Sequence, residues 1–517
     1  MENFLNHWGL TLAVFIPLIG AALMMVIPRA REDLHKWIAL LTSAVVFGVT
    51  ILIASYFDYD NSGQLQFVVN RSWIDAINSR YIVGIDGISL PLVLLTALIV
   101  VSVVIYSWNH WPDPKNPKAF LILTLILETG MIGTFVAQDL ILFFVFFEVV
   151  LLPMYFMIGV WGGERRLYAA IKFFLFTLFG SALMIVSFIA LYFLAKGPNG
   201  QPLNTFSMLE LNNAQGIAHT TQLLIFGGMF IGFGIKVPIF PFHTWLPDAH
   251  TEAPTQGSVI LAAILLKLGA YGFIRVAIPI LPEAAESWAP WIALLAVIGI
   301  IYGALCCLAQ TDMKRLIAFS SVAHMGFVML GIATLTTFGL NAAVMGMVAH
   351  GLITGMLFYL AGSIKERFHT LEIRRLGGLL LQAPRMGWIL GFCAMASLGL
   401  PGLAGFWGEF PALLASYNPA EGLSEPLFRV YLVVGALGTV FAAGYLLWLL
   451  QRTAFGVPKE EWEGEHFHDV EAPEWIAWLP LLLLIVVIGF FPNIVFHVTD
   501  TAVQSALSGV QTLTAAK

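Results

Sequence analysis

Fourteen apolar stretches of about twenty residues, the first near 8–27 and the last near 475–497, run through this 517-residue chain. A hydrocarbon core about 30 Å thick is crossed by about 20 residues of helix, so each stretch is long enough to span a membrane. Hydrophobic residues make up 59% of the chain and charged residues 11%, against about 25% charged in soluble domains. The reading is an all-α polytopic membrane protein of about fourteen transmembrane helices, and an even count puts both termini on one side. The start, Met1-Glu2-Asn3-Phe4, has neither a basic n-region nor a small-residue cleavage site, so the first stretch is read as a retained span.

The same sequence argues against several kinds of chemistry. Cys306, Cys307 and Cys393 all fall inside spans and form no C-x-x-C pair, which speaks against a cluster or a structural disulfide. No Gly-rich phosphate loop follows a strand pattern, so neither a nucleotide site nor a nucleic-acid partner is expected. The loop 451–474, with Lys459, Glu460, Glu461, Glu463, Glu465, His466, His468 and Asp469, reads as a solvated charge run rather than a metal site. Basic residues favour the cytoplasmic side. With alternate loops taken as inside, seventeen of the twenty-five Lys and Arg fall there and five, Lys517 among them, fall in the opposite loops and termini. Both termini are therefore expected outside, and Lys236, Lys267 and Arg275 remain in spans.

Two spans carry similar interruptions: Gly232 to Pro238 in the seventh and Gly399 to Gly405 in the twelfth. Paired Gly/Pro breaks point to a transporter built of repeats with its site at the discontinuities. The breaks lie five spans apart, and a unit with an odd number of helices inserts upside down relative to its copy. The expected organisation is N-terminal helices 1–3 over 1–117, a first five-helix repeat (helices 4–8) over 118–280, an inverted second repeat (helices 9–13) over 289–450, and a charged loop with helix 14 over 451–517.

Ionisable residues deep in apolar spans mark ion pathways and proton relays, because each costs roughly 2.5–3.5 kcal/mol to insert even on a lenient scale. Lys236 sits beside the seventh-span break and Lys267 is equally deep in the next span. Glu148 lies in a run of Phe, Val and Leu with no cation on its own helix. It is therefore either paired across helices, with Lys236 as the candidate, or neutral and hydrogen-bonded. His324 and His350 occupy the tenth and eleventh spans, where imidazole passes protons or serves structurally. Glu409 follows the break of the twelfth. Glu128 in the fourth span, Asp139 at a span start and Asp312, placed as an N-cap, are further acidic residues. The segment 243–255 lacks the helical His spacing of a zinc enzyme and reads as a structured inner loop that closes or feeds the path.

Three segments carry a resemblance: Lys236 to Tyr271 (KVPIFPFHTWLPDAHTEAPTQGSVILAAILLKLGAY), Thr311 to Gly326 (TDMKRLIAFSSVAHMG) and the surroundings of Leu400 to Phe410. Over about 84 to 450 the chain resembles the antiporter-like membrane subunits of respiratory complex I, the proton-translocating NADH–quinone oxidoreductase, and most of all those of the subunit M type, the counterpart of mitochondrial subunit four. The resemblance implies that Glu148 and Lys236 form a modulating ion pair, that Lys267 with His324 and His350 forms the connecting path, and that Glu409 is the terminal exchange residue. It also implies no cofactor in this chain, FMN and iron–sulfur clusters in partner subunits, neighbouring antiporter-like subunits L and N, an indirect link to the soluble NADH-oxidising arm, and a bacterial inner membrane with its lipids. Glutamate at 409, where sister subunits and sodium/proton antiporters usually carry lysine, favours this type. The alternatives of the same fold are a subunit of a multisubunit sodium/proton antiporter or of a membrane-bound hydrogenase.

Overall fold

The computed structural model describes residues 1–465 and 467–515; His466 and Lys517 lie outside the described residues. In chain order its principal elements are α1 (Glu2–Val26), α2 (Glu32–Tyr56), β1 (Gln66–Ile74), β2 (Ser79–Ile85), α3 (Ser89–Tyr106), α4 (Pro117–Val136), α5 (Leu140–Trp161) and α6 (Arg166–Leu194). There follow α7 (His219–Lys236), α8 (Trp245–Glu252), α9 (Thr255–Ile280), α10 (Pro282–Leu308), α11 (Met313–Ala333) and α12 (Thr337–Phe368). The chain ends with α13 (Pro384–Ser397), α14 (Ala404–Ala415), α15 (Glu425–Thr453), α16 (Ala472–Phe490) and α17 (Asn493–Ala515).

Twelve of the described helices are long and apolar enough to cross a membrane, two fewer than the fourteen expected. The segments expected as the seventh and twelfth spans are the two outside this set. The polar first turn of α7 and its terminal Lys236 dilute an otherwise apolar helix, and the chain then leaves helical geometry until Trp245. In the other segment α13 stops at Ser397 and α14 starts at Ala404, with Gly399 at φ +79° and Gly402 at φ +93° between them. Such angles suit glycine, which has no Cβ to clash.

Hydrogen bonds sort the connections into two faces. On one, the segments around Lys115, Trp161, Glu252, Thr311, Leu371 and Phe455 are joined by bonds such as Met313 N to Leu371 O at 2.9 Å and Gly378 N to Phe455 O at 3.1 Å. On the other lie the β1/β2 hairpin, the segments 195–218, 281 and 416–424, and α17. The α17 helix is tied there by Ser62 to Thr501 at 2.5 Å and Asn341 to Asp500 at 2.8 Å. Thr11 of α1 accepts from Tyr81 at 3.0 Å, so the first turns of α1 sit on this second face together with α17.

Two features depart from the expected layout. The last span ends at Phe490 rather than 497, where Pro492 opens a separate and more polar helix across the face. The segment expected as loop between the second and third spans contains an antiparallel hairpin, with Asn70 opposite Ile82 and Ser72 opposite Arg80. That hairpin has a structural task. Asp139, the N-cap of α5, accepts from Ile141 N and Leu142 N and also from Ser79 Oγ and Arg80 N, all at 3.0–3.1 Å. Asp312 is the N-cap of α11, accepting from Arg315 N at 2.8 Å.

Candidate functional site: a buried row of ionisable side chains

The most buried helices, α9, α11 and α12, are each 94% enclosed over their apolar windows, and they carry three of the residues singled out above. Lys267 is on α9, whose hydrogen bonding slips into π-turns at Leu261–Leu265 and Phe273–Ala277 on either side of it. A π-turn widens the helix and leaves carbonyls for other partners. Here Ala262 O accepts from Lys267 Nζ at 2.5 Å.

The same ammonium donates to His350 Nδ1 at 2.6 Å. The His350 and His324 rings follow each other with centroids 5.9 Å apart. His324 Nδ1 then donates to Glu409 Oε1 at 2.5 Å, while its Nε2 accepts from Ser397 Oγ at 3.0 Å and Tyr445 OH at 3.3 Å. A single tautomer satisfies both sides of the His324 ring. Lys267, His350, His324 and Glu409 thus stand in one file across α9, α12, α11 and α14. A cavity of about 20 Å³ between the two imidazoles, lined also by Thr354, Ser397 and Glu409, has room for a water molecule among several polar groups.

Glu148 and Lys236 occupy a second place, toward the other half of the bundle. Glu148 is on α5 just before Val150, where the helix is interrupted; Pro153 lacks the N–H that Val149 O would accept in a regular helix. The Glu148 carboxylate accepts from Ser181 Oγ. Lys236 is the last residue of α7, held at the break by Ile239 N to Gly234 O at 2.8 Å and Trp245 Nε1 to Ile235 O at 2.9 Å. Its Nζ is 2% exposed as a residue, lies 4.7 Å above the Phe147 ring and has no hydrogen-bond partner among the described residues. A cation over an aromatic face is attracted by the ring quadrupole, which partly replaces the missing ligand.

No Glu148–Lys236 contact within 4.0 Å occurs among the described ion pairs. The helices that carry the two lysines touch: a Cβ on Gly269 would stand 2.5 Å from Phe233 O and 2.9 Å from Val237 N, so α9 lies directly on the broken end of α7.

The structure adds residues that sequence reasoning left aside. Arg275, noted only as a leftover charge in a span, donates to both carboxylate oxygens of Asp86 at 2.6 Å and to Tyr271 OH at 3.0 Å. Ser181, Ser397 and Tyr445 complete the shell. Nothing in the sequence distinguishes them from other hydroxyls in spans. Glu128 is fully buried with neither carboxyl oxygen hydrogen-bonded among the described residues. In the segment 243–255, His250 is buried and stacked on Phe358 at 4.4 Å. Among the described residues no group of three or more His, Cys, Asp or Glu is arranged to hold a metal.

Comparison with known proteins meets this geometry. Residues 137–424 match the family model described as NADH:quinone oxidoreductase/Mrp antiporter, transmembrane, and residues 12–134 match that of NADH-ubiquinone oxidoreductase chain 4, amino terminus. The chain is 40% identical to NADH-quinone oxidoreductase subunit M of Rhodobacter capsulatus over 96% of its own length and 94% of the relative's. A chain of respiratory complex I from Thermus thermophilus superposes with a TM-score of 0.84 at 29% identity, covering 98% of this chain and 99% of that one. A chain of the Mrp complex from Dietzia sp. DQ12-45-1b reaches 0.82 at 17% identity, covering 98% and 99%, which is a likeness of fold.

Proposed function

Because this chain belongs to the subunit M family of NADH–quinone oxidoreductase, we propose that it is a proton-translocating membrane-arm subunit of complex I, with no redox chemistry of its own. The observation that carries the reading is the file Lys267, His350, His324 and Glu409, joined at 2.5–2.6 Å at both ends inside apolar spans. A file of titratable groups in a medium that excludes ions conducts protons and little else.

In this reading Glu148 and Lys236 form the modulating pair. Lys236 keeps its proton while Glu148 is close and charged. When Glu148 withdraws, the proton passes toward Lys267, along the histidines and out through Glu409. The absence of a direct contact between the two suits a pair that changes separation, and the Ser181 bond gives Glu148 a place to retreat to. Moving one charge against roughly 150 mV costs about 3.5 kcal/mol, so a swing of about two and a half in one carrier's pKa would suffice.

The repeats 118–280 and 289–450 belong to the same proposal. Each holds a broken segment with an ionisable residue at the break, and the two segments run in opposite directions between the faces. Subunits L and N are the proposed neighbours, FMN and iron–sulfur clusters belong to the NADH-oxidising arm, and both termini face the periplasm of a bacterial inner membrane.

The test is a Lys236→Ala complex, assembled normally and reconstituted in vesicles, in which protons moved per NADH oxidised are counted. The expected result is a fall in that ratio or a collapse of coupled turnover; an unchanged ratio defeats the mechanism. Gentle isolation of the native chain separates the alternatives: flavin and iron–sulfur proteins with NADH–quinone activity should accompany it, whereas small membrane subunits alone would favour an antiporter.

A further inference from the structure

Tyr271 lies four residues beyond Lys267 on α9 and Arg275 four beyond that, so the three form a stripe that leads from the file toward the face carrying α17. Residues four apart are neighbours on a helix surface, and at 1.5 Å per residue the stripe climbs about 12 Å. It ends at Asp86, 3% exposed, just before α3. The backbone of α17 lies over that end, since a Cβ on Gly87 would stand 1.8 Å from Val498 O. The file to Glu409 leaves Lys267 sideways through three more helices, whereas this stripe leads straight out.

Chemistry closes the stripe. Groups relay protons only where each accepts on one side and releases on the other. The Tyr271 hydroxyl donates to Phe135 O at 2.7 Å and accepts from Arg275 Nε at 3.0 Å. Its proton therefore points at an amide carbonyl, too weak a base to carry it on. Arg275 offers only N–H donors, with no acceptor and a charge it does not give up. The guanidinium donates to both Asp86 oxygens at 2.6 Å, and Ile88 N, Ser89 N and Ser89 Oγ crowd Oδ1 at 3.1 Å. An arginine set in a pore excludes protons by its charge. Met at about 4 Å in a medium of effective dielectric about 20, one charge lowers the local proton occupancy by more than about a hundredfold.

Stability alone does not account for the pair. A buried ion pair is often replaced by well-packed apolar residues at no loss, so charge at this place calls for another reason.

We propose that Arg275, held by Asp86 and Tyr271, is a proton plug: it closes the direct route between Lys267 and the α17 face and leaves the histidines as the way on. The routing role rests on the proton-file reading. To test it, the assembled complex is reconstituted in liposomes that hold a pH-sensitive dye. The outside is acidified in the presence of potassium and valinomycin, and decay of the gradient is followed without NADH. Arg275→Gln with Asp86→Asn keeps a polar pair but removes both charges, and amides accept as well as donate. The gradient is expected to decay faster, by up to about a hundredfold. Arg275→Met with Asp86→Leu fills the same place with dry apolar groups and should stay as tight as the native complex. A pair that only held helices together would give the opposite order, with the hydrogen-bonded amides tight and the reshaped apolar pair leaky. Should the amide pair not assemble, Arg275→Lys is read in its place and should leak too, because a buried ammonium releases its proton where a guanidinium does not. A tight amide or lysine variant, or decay equal to that of the apolar pair, would overturn the proposal. The assay is passive, so the two readings fail separately. A tight amide pair beside a lowered proton ratio in Lys236→Ala removes the plug alone, and a leaking pair beside an unchanged ratio removes the pumping mechanism alone.

Discussion

Glu409 is the residue at which the buried file meets open space. One side of its carboxylate receives His324; the other borders a groove of about 720 Å³ lined by Leu400, Phe410 and Val440. Glutamine at 409 would still accept from His324 but could not carry a proton, so Glu409→Gln should lower the protons moved per NADH oxidised. Glu409→Asp keeps the acid while drawing it back by about 1.5 Å, and should recover part of the ratio. Equal effects of the two would argue that the contact, and not the titration, matters. A different role belongs to Arg275, whose pairing with Asp86 is nearly enclosed, at 13% and 4% side-chain exposure. Arg275→Met leaves a buried charge unpaired, which costs about 3–5 kcal/mol. The subunit should be lost from the assembled complex, and Asp86→Leu added to Arg275→Met should restore it, read by the yield of intact complex on a native gel. The sequence showed Glu409 and Arg275 to be out of place in apolar spans. It could not show that Lys267 reaches His350 while Lys236 and Glu148 stand apart, because distances between helices do not follow from the pattern along any one of them.

Elements hold this file through contacts that leave no room for a methyl group. A Cβ on Gly408 of α14 would stand 2.5 Å from Gly346 Cα of α12, backbone against backbone, one residue before Glu409. Gly408→Ala must therefore push α14 off α12 and stretch the His324–Glu409 bond. The expected outcome is a lower proton ratio with every titratable group still present, and Gly391→Ala, at a glycine whose Cβ would meet nothing within 4 Å, should leave the ratio unchanged. If both variants behave alike, close packing of α14 is not what sets the bond. At this scale Gly and Pro at 232–238 and 399–405 made the two interruptions legible. The π-turns around Lys267 were not, since a one-residue slip in hydrogen bonding leaves the apolar pattern of a fully buried helix unchanged. Nor was the hairpin, because Gln66 to Ile74 lacks the strict alternation that marks a half-buried strand.

The molecule as a whole is polarised by charge. The face joined around Lys115, Glu252, Thr311 and Leu371 gathers the basic residues that the loop count assigned inside, and there Arg375 pairs with Glu461 and Arg367 with Glu474. The opposite face, with the hairpin and α17, carries few cations. Since cytoplasmic loops collect Lys and Arg, the first face should be cytoplasmic and α17 periplasmic. Ser505→Cys on the exposed side of α17 should then react with a membrane-impermeant maleimide applied to spheroplasts. Glu463→Cys in the charged loop should react only after the membrane is opened. The three native cysteines lie in spans, with Cys307 and Cys393 buried, so they add little background. Labelling in the reverse order would invert the orientation.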